Sequence, residues 1–241
     1  MRIAAIGDLH CRVNTPDLVA GVLPDVKKNA DVLLLTGDLT DRGLPEEADC
    51  LMKQLSALSM PILAVLGNHD HESECEDELT QIFTDAGIIM LDNTAYEIDN
   101  VGFAGTKGFC GGFGRTMIQP FGEKALKKFA QTGMKEAVSL EVVLANLECE
   151  HKVAVLHYAP IPETLVGEPP EIFAFLGSEH LGIALDRQGV DLAVHGHAHH
   201  GSPEGKTAAG VPVHNVSRYV QEQHYGQCYR VFEIGKNGDK T

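Results

Sequence analysis

Three short apolar runs near the start of the chain each end in glycine followed by a side chain able to bind a metal. Residues 2 to 8 read RIAAIGD, residues 31 to 38 DVLLLTGD and residues 61 to 70 PILAVLGNHD. Runs this short and this continuously apolar suit strands covered on both faces. Between the first two, Thr15-Pro16-Asp17 opens a helical pattern in which Leu18, Val19, Val22, Leu23 and Val26 share one face. Between the second and third, Pro45-Glu46-Glu47 starts another helix, with Ala48, Leu51, Met52, Leu55 and Leu58 at helical spacing. Its acids fall in the first turn, where the helix dipole favours them. The alternation β-α-β-α-β implies a parallel sheet flanked by helices.

Beyond residue 70 the rhythm changes. A third helix is expected over 72–86, then short strands at 88–91, 96–98 and 101–104 separated by Asn- or Asp-rich turns. The segment GTKGFCGGFG (105–114) reads as a flexible loop near the mouth of a site. A helical region over 122–148, broken near Gly133, leads to a strand at 152–160. The proline-bearing stretch 161–177 reads as a surface loop, and strands at 190–195, 211–216 and 227–234 follow. With no linker and no repeat, residues 1–241 are expected to form a single domain.

Composition narrows the partners. A net charge of -15 opposes binding to long nucleic acids and to membrane surfaces. No apolar run reaches the roughly 18 residues of a membrane helix, and the start of the chain lacks a cleavable signal pattern. The expected location is the cytoplasm. The 6 cysteines include no C-x-x-C pair, so they read as free thiols in a reducing compartment.

Histidine is the informative residue. In parallel sheets functional groups gather beyond the carboxyl ends of strands, and here those ends carry Asp8 and His10, Asp38, Asn68 with His69 and Asp70, His157, and the run His195-Gly196-His197-Ala198-His199-His200. In extended backbone an i, i+2 pair points one way, which suits Asp8 with His10 as a chelating pair. Spacing alone leaves a 195/197 pair open against 197/199. Carboxylates, an amide and several imidazoles gathered at one sheet edge would be a costly desolvated cluster unless cations filled it. Mixed nitrogen and oxygen donors suit Mn, Fe, Zn or Ni and disfavour Ca or Mg.

Taken in order, GDLH (7–10), GDLTDRG (37–43), GNHD (67–70), His157 and GHAH (196–199) resemble the motif set of the calcineurin-like metallophosphoesterase superfamily. The resemblance implies an α/β fold, a four-layer α/β/β/α sandwich of two mixed sheets flanked by helices. It implies two divalent transition-metal ions, Mn²⁺ or Fe before Zn²⁺ or Ni²⁺. Asp8, His10, Asp38 and His199 would hold one ion, and Asp38, Asn68, His157 and His197 the other, with Asp38 bridging. It also implies a metal-bridging hydroxide as nucleophile, His69 as general acid, Asp41 as the carboxylate orienting it and Arg42 as a phosphate contact. The expected activity is hydrolysis of a small phosphate ester or nucleotide, monoester or diester, with protein partners unassigned.

Two other readings share the pattern. A non-catalytic metal-binding interaction scaffold would be expected to lose ligands or the acid, and here seven ligands and His69 are present. A nuclease would be expected to carry a Lys/Arg track, which the sequence lacks.

Overall fold

The structure, a computed structural model, describes residues 1–14, 19 and 21–235. The chain begins β1 (Arg2–Ile6), α1 (Leu23–Asn29), β2 (Val32–Thr36), α2 (Pro45–Leu55), β3 (Ile62–Val65), α3 (Glu76–Asp85) and β4 (Ile89–Met90). It continues through β5 (Thr94–Ile98), β6 (Val101–Thr106), α4 (Lys124–Ala145), β7 (His151–Leu156), α5 (Phe173–Leu176) and α6 (Glu179–Gln188). It ends with β8 (Leu192–His195), β9 (Glu204–Lys206), β10 (Pro212–Asn215), α7 (Arg218–Tyr225) and β11 (Arg230–Glu233).

Two mixed sheets result. The first has the order β11-β1-β2-β3-β4, parallel except for β11; the second has the order β5-β6-β7-β8-β10-β9, with β5 and β9 antiparallel at its edges. Strand periodicity explains the continuous apolar runs. Along β2, Leu33 and Leu35 pack with Leu51, Leu79 and Phe83 of the helical layer, while Val32 and Leu34 meet Phe103, Val153 and Val194 of the other sheet. On the far side, Ala154 and Leu156 pack with Leu140 and Leu144 of α4 and with Leu181 and Leu185 of α6. The order of layers is therefore helix, sheet, sheet, helix, as the motif resemblance implied.

Several local expectations are corrected. The helix start at residues 15–18 lies outside the described residues, and α1 begins at Leu23 with Pro24 in its first turn. Proline lacks an N–H and fits only there, so a helix running through Pro24 was excluded by chemistry. Helix α3 begins at Glu76, after a short 3-10 turn over His69–His71, so the expected start at residue 72 is early by four positions. Helix α4 is unbroken at Gly133. A Cβ there would collide with the Cys110 carbonyl, so this glycine permits close packing of 105–114 on the helix. That segment is correspondingly packed, with Gly108, Cys110, Gly111, Gly112 and Phe113 buried. The 161–177 stretch is likewise more than a surface loop, because Ile161, Leu165 and Leu176 are buried. Strand β9 and helices α6 and α7 were not anticipated. Among the described residues no helix is long and apolar enough to cross a membrane.

The carboxyl ends of β1, β2 and β3 meet those of β7 and β8. Gly7 N donates to Val216 O at 2.8 Å, joining the sheets at this end. The expected donors therefore converge from two sheets, not from one edge as strand order alone suggested.

Candidate metal centre

Asp8, His10, Asp38 and His199 bring ligand atoms within 4.8 Å of one another, and so do Asp38, His157 and His197. Asp38 belongs to both groups. Its Oδ2 lies 3.7 Å from His10 Nε2, while its Oδ1 lies 3.4 Å from His157 Nε2. Asn68 joins the second group through Oδ1, 2.9 Å from His157 Nε2. In the first group His199 Nε2 lies 3.2 Å from Asp8 Oδ1 and 3.5 Å from His10 Nε2.

The loops that present these groups are locally unusual. Asp8, His10, Asp38 and His197 have φ of 59°, 46°, 48° and 70°, so the extended geometry expected for the Asp8/His10 pair is replaced by left-handed backbone. Such conformations cost of order 1–3 kcal/mol each away from glycine and persist where surroundings impose them. Here the surroundings are hydrogen bonds between loops. Asp8 N donates to Gly37 O at 3.1 Å, His10 N to Asp38 O at 2.9 Å, and His197 N to Asp8 Oδ1 at 2.9 Å. Gly37 has φ +85°, and a Cβ on it would enter the His157 ring.

Asp70 completes the frame and had no assigned role from sequence. Fully buried, it accepts from Thr40 N at 2.8 Å, Thr40 Oγ1 at 2.6 Å, Leu39 N at 3.2 Å and Gly67 N at 2.8 Å. It thereby ties the loop after β2 to the loop after β3. Its presence in GNHD was visible, but its partners were not.

Histidine tautomers follow from acceptors that have no proton to give. His157 Nδ1 lies 2.9 Å from Thr36 O, so Nδ1 carries the proton and Nε2 presents its lone pair to Asn68 and Asp38. His197 Nε2 faces Phe175 O at 3.2 Å, which leaves Nδ1 as its free donor. This donor set fits a divalent transition metal better than a purely oxygen-seeking ion.

Electrostatics point the same way. Burial, then the charges of Asp8 and Asp70, raise the Asp38 pKa well above the ordinary carboxylate value. Burial holds His10 and His197 down at about 4 and His157 well below its ordinary value, keeping these imidazoles neutral, the form that binds metals. Asp8 differs, since His199 holds its carboxyl below the ordinary range and is itself raised by that contact; the unpaired charge is that of Asp38, facing the neutral His10 and His157, and a cation would supply its counter-charge.

The remaining predicted residues divide. His69 lies beside the first group, its ring edge-on to His10 at 4.5 Å, and its backbone N–H donates to Asp38 Oδ1 at 2.8 Å. With His10 and Asp41 it forms a third set of clustered ligand atoms. Its Nδ1 faces the backbone carbonyl of Asp41 at 2.7 Å. The Asp41 carboxylate instead pairs with Arg12 at 2.9 Å, so the contact of Asp41 with the His69 ring is made by its carbonyl and not by the carboxylate. Arg42 is exposed; its backbone is engaged with Glu47 and Ser73, and among the described residues its guanidinium makes no contact with either donor group. His195 is buried against Thr164 Oγ1 at 2.8 Å and Gly196 O at 2.7 Å, outside both groups, whereas His197 and His199 each fall within one. His200 is exposed, with its N–H on Glu168. Two rings that sequence reasoning missed flank the donors. Tyr158 packs on His197 and Tyr219 on His199, each at 4.5 Å between ring centres. Tyr158 could be inferred from its place next to His157, whereas nothing in the sequence marks Tyr219.

The chain is similar to a probable cyclic nucleotide phosphodiesterase of Synechococcus sp., 34% identical over 92 residues covering 34% of each protein. It is similar to a 3′,5′-cyclic-nucleotide phosphodiesterase of Nostoc sp., 31% identical over 80 residues, 28% of this chain and 30% of the relative. The matches thus span about a third of the length of these curated relatives. The solved structure of phosphopantetheinyl hydrolase from Mycobacterium tuberculosis aligns over 99% of this chain and 98% of its own, with TM-score 0.67 and 15% identity, a likeness of fold. The calcineurin-like phosphoesterase family profile matches residues 1–201, a stretch containing every donor of both groups, and the chain belongs to that family.

Proposed function

We propose that the protein hydrolyses small phosphate esters, with phosphodiesters including cyclic nucleotides as the favoured class, at a dimetal centre. Asp8, His10, Asp38 and His199 hold one ion in this reading, and Asp38, Asn68, His157 and His197 hold the other. The observation that carries it is the division of Asp38, whose two oxygens face different donor groups. Names of the curated relatives support the diester preference. Two bound divalent ions would lower the pKa of a shared water and offset charge growing on the phosphoryl group.

The chain's own groups supply the rest. Asp8 and Asp38 bring two negative charges to a pair of dications, so the centre attracts a phosphate although the whole chain carries -15. Charges beyond about 8 Å are screened at physiological salt. His69 is fixed through Nδ1–H on the Asp41 carbonyl. A proton at its other ring nitrogen is then the one available to a leaving oxygen, the role of a general acid. In this reading residues 1–241 act as one catalytic unit.

A hydrolysis screen tests it. Protein stripped with a chelator and reloaded with Mn²⁺, Fe²⁺, Zn²⁺ or Ni²⁺ is assayed on a phosphomonoester, a phosphodiester and 3′,5′-cyclic nucleotides. Metal-dependent turnover with the diester or cyclic substrates ahead is expected. Failure of every reloaded form to turn over any ester would refute the reading.

A further inference from the structure

His199 is held differently from the histidines of the second group. Its side chain is 30% exposed, and among the described residues no backbone carbonyl hydrogen-bonds its ring, unlike the rings of His157 and His197. Its Nε2 faces Asp8 Oδ1 at 3.2 Å and His10 Nε2 at 3.5 Å, the same groups an ion would draw to itself. An imidazole so placed is free to rotate unless a flat surface lies against it.

Tyr219, half-buried in the first turn of α7, supplies that surface. Its ring centre lies 4.5 Å from that of His199 with the planes inclined by 32°, the spacing of an aromatic pair. The His10 ring lies 6.2 Å away. The Arg218 guanidinium stands 4.8 Å from the centre of the same tyrosine ring, a cation–π contact. The Tyr219 hydroxyl makes no hydrogen bond among the described residues, so this side chain is engaged through its ring.

The backbone enforces the placement. Arg218 N donates to Gly7 O at 3.1 Å, which ties the start of α7 to the residue before Asp8. The fully buried Asn215 donates through Nδ2 to Ala198 O at 2.7 Å and accepts from Ser217 N at 3.0 Å. That ties the same helix start to the residue before His199. Tyr219 also lies outside the stretch 1–201 that the family match covers, so this support comes from a part of the chain beyond the metal-binding motifs.

We propose that Tyr219 is a positioning residue of the first donor group, holding the His199 ring in the plane that presents Nε2 beside Asp8 and His10. The proposal rests on the dimetal reading for what His199 binds. A ring restricted before the ion arrives spares binding part of the cost of ordering a side chain.

The test measures Mn²⁺ binding to chelator-stripped protein by calorimetry, with metal content determined after desalting. An aromatic pair corresponds to about 2- to 10-fold in an equilibrium constant. Tyr219→Leu, which keeps bulk but has no ring, should therefore weaken one of two ions by about that factor and leave the other unchanged. Tyr219→Phe should bind both ions as the unaltered protein does. His199→Ala identifies the affected ion: adding Tyr219→Leu to it should leave the affinity of the remaining ion unchanged, the non-additivity of two residues that act as a unit. A variant that merely loosens the fold would weaken the remaining ion too, and that result would overturn the proposal. So would full affinity for both ions in Tyr219→Leu, or a loss in Tyr219→Phe equal to that in Tyr219→Leu. Retention of both ions by His199→Ala would refute the dimetal assignment itself, whereas loss of an ion there without any effect of Tyr219→Leu would refute the role of Tyr219 alone.

Discussion

The two donor groups share Asp38 but hold their histidines differently. In the second, His157 is fully buried with its Nδ1 on Thr36 O, and His197 has its Nε2 on Phe175 O. Each ring is thus oriented by a backbone carbonyl, leaving the other nitrogen free to coordinate. In the first, the facing nitrogens of His10 and His199 lie 3.5 Å apart, and His199 Nε2 lies 3.2 Å from the Asp8 carboxylate. The His199 side chain is 30% exposed, against 0% for His157. Orientation of ligating histidines by outer partners is worth 10- to 100-fold in metal affinity. Donors touch one another in both groups, as His157 Nε2 does Asn68 Oδ1 at 2.9 Å, so the expected difference rests on the carbonyl-anchored rings of the second group, which should hold its ion more tightly.

The sharpest way to break this comparison is to remove one histidine from each side. His157→Ala should weaken the second ion by orders of magnitude, while His199→Ala should release the first ion and leave the second. Stepwise chelation of the unaltered protein, followed by metal analysis, should show one ion leaving well before the other. Simultaneous release would mean that the difference in anchoring has no energetic weight.

A smaller effect separates His69 from the first group, whose edge it touches. His69→Asn should retain both ions and lose activity on alkyl phosphate esters by about 10²- to 10⁴-fold, the usual worth of general-acid help. It should lose much less on p-nitrophenyl esters, whose leaving group needs no proton. Loss of a metal ion in this variant would make His69 a ligand, consistent with its grouping with His10 and Asp41.

Smaller still is a pH effect outside both groups that would blur metal titrations. Burial and then the charge of Arg230 hold His214 down at about 4, against the opposing pull of Glu204. A histidine with a depressed folded-state pKa binds its proton more readily when unfolded, so stability is lost as pH falls from about 6.5 toward 4. The loss at this residue is on the order of 2 kcal/mol, and denaturant midpoints of His214→Leu should be correspondingly less acid-sensitive. An equal acid slope in that variant would exclude His214 as a source.

These differences bear on what a sequence can carry. The strands of the first sheet were legible because β1, β2 and β3 are apolar on both faces; of the expected donors, Asp8, Asp38, Asn68, His157 and His197 stand out because each sits directly after a strand or a glycine, whereas His10 and His199 were read from the motifs GDLH and GHAH. What remained hidden depended on contacts between distant segments. Thr36 O on His157 spans 121 positions, and Tyr219 on His199 joins α7 to a loop with no shared motif. The way Asp41 meets His69 was hidden for a related reason. Its carboxylate was free to find Arg12, while its carbonyl, identical in every residue type, took His69. Gly133 misled because a glycine that breaks a helix and one that admits a neighbouring backbone look alike until the neighbour is known.

The account stands on Asp38 serving both groups at once. The most direct measurement is the metal content of Asp38→Asn beside the unaltered protein, after identical loading and desalting, with circular dichroism confirming the fold. Two ions per chain are expected in the unaltered protein, and a folded variant should show reduced occupancy at both positions. A folded Asp38→Asn that keeps two ions, or loses only one while holding the other at full affinity, would contradict a shared carboxylate and with it the dimetal centre proposed here.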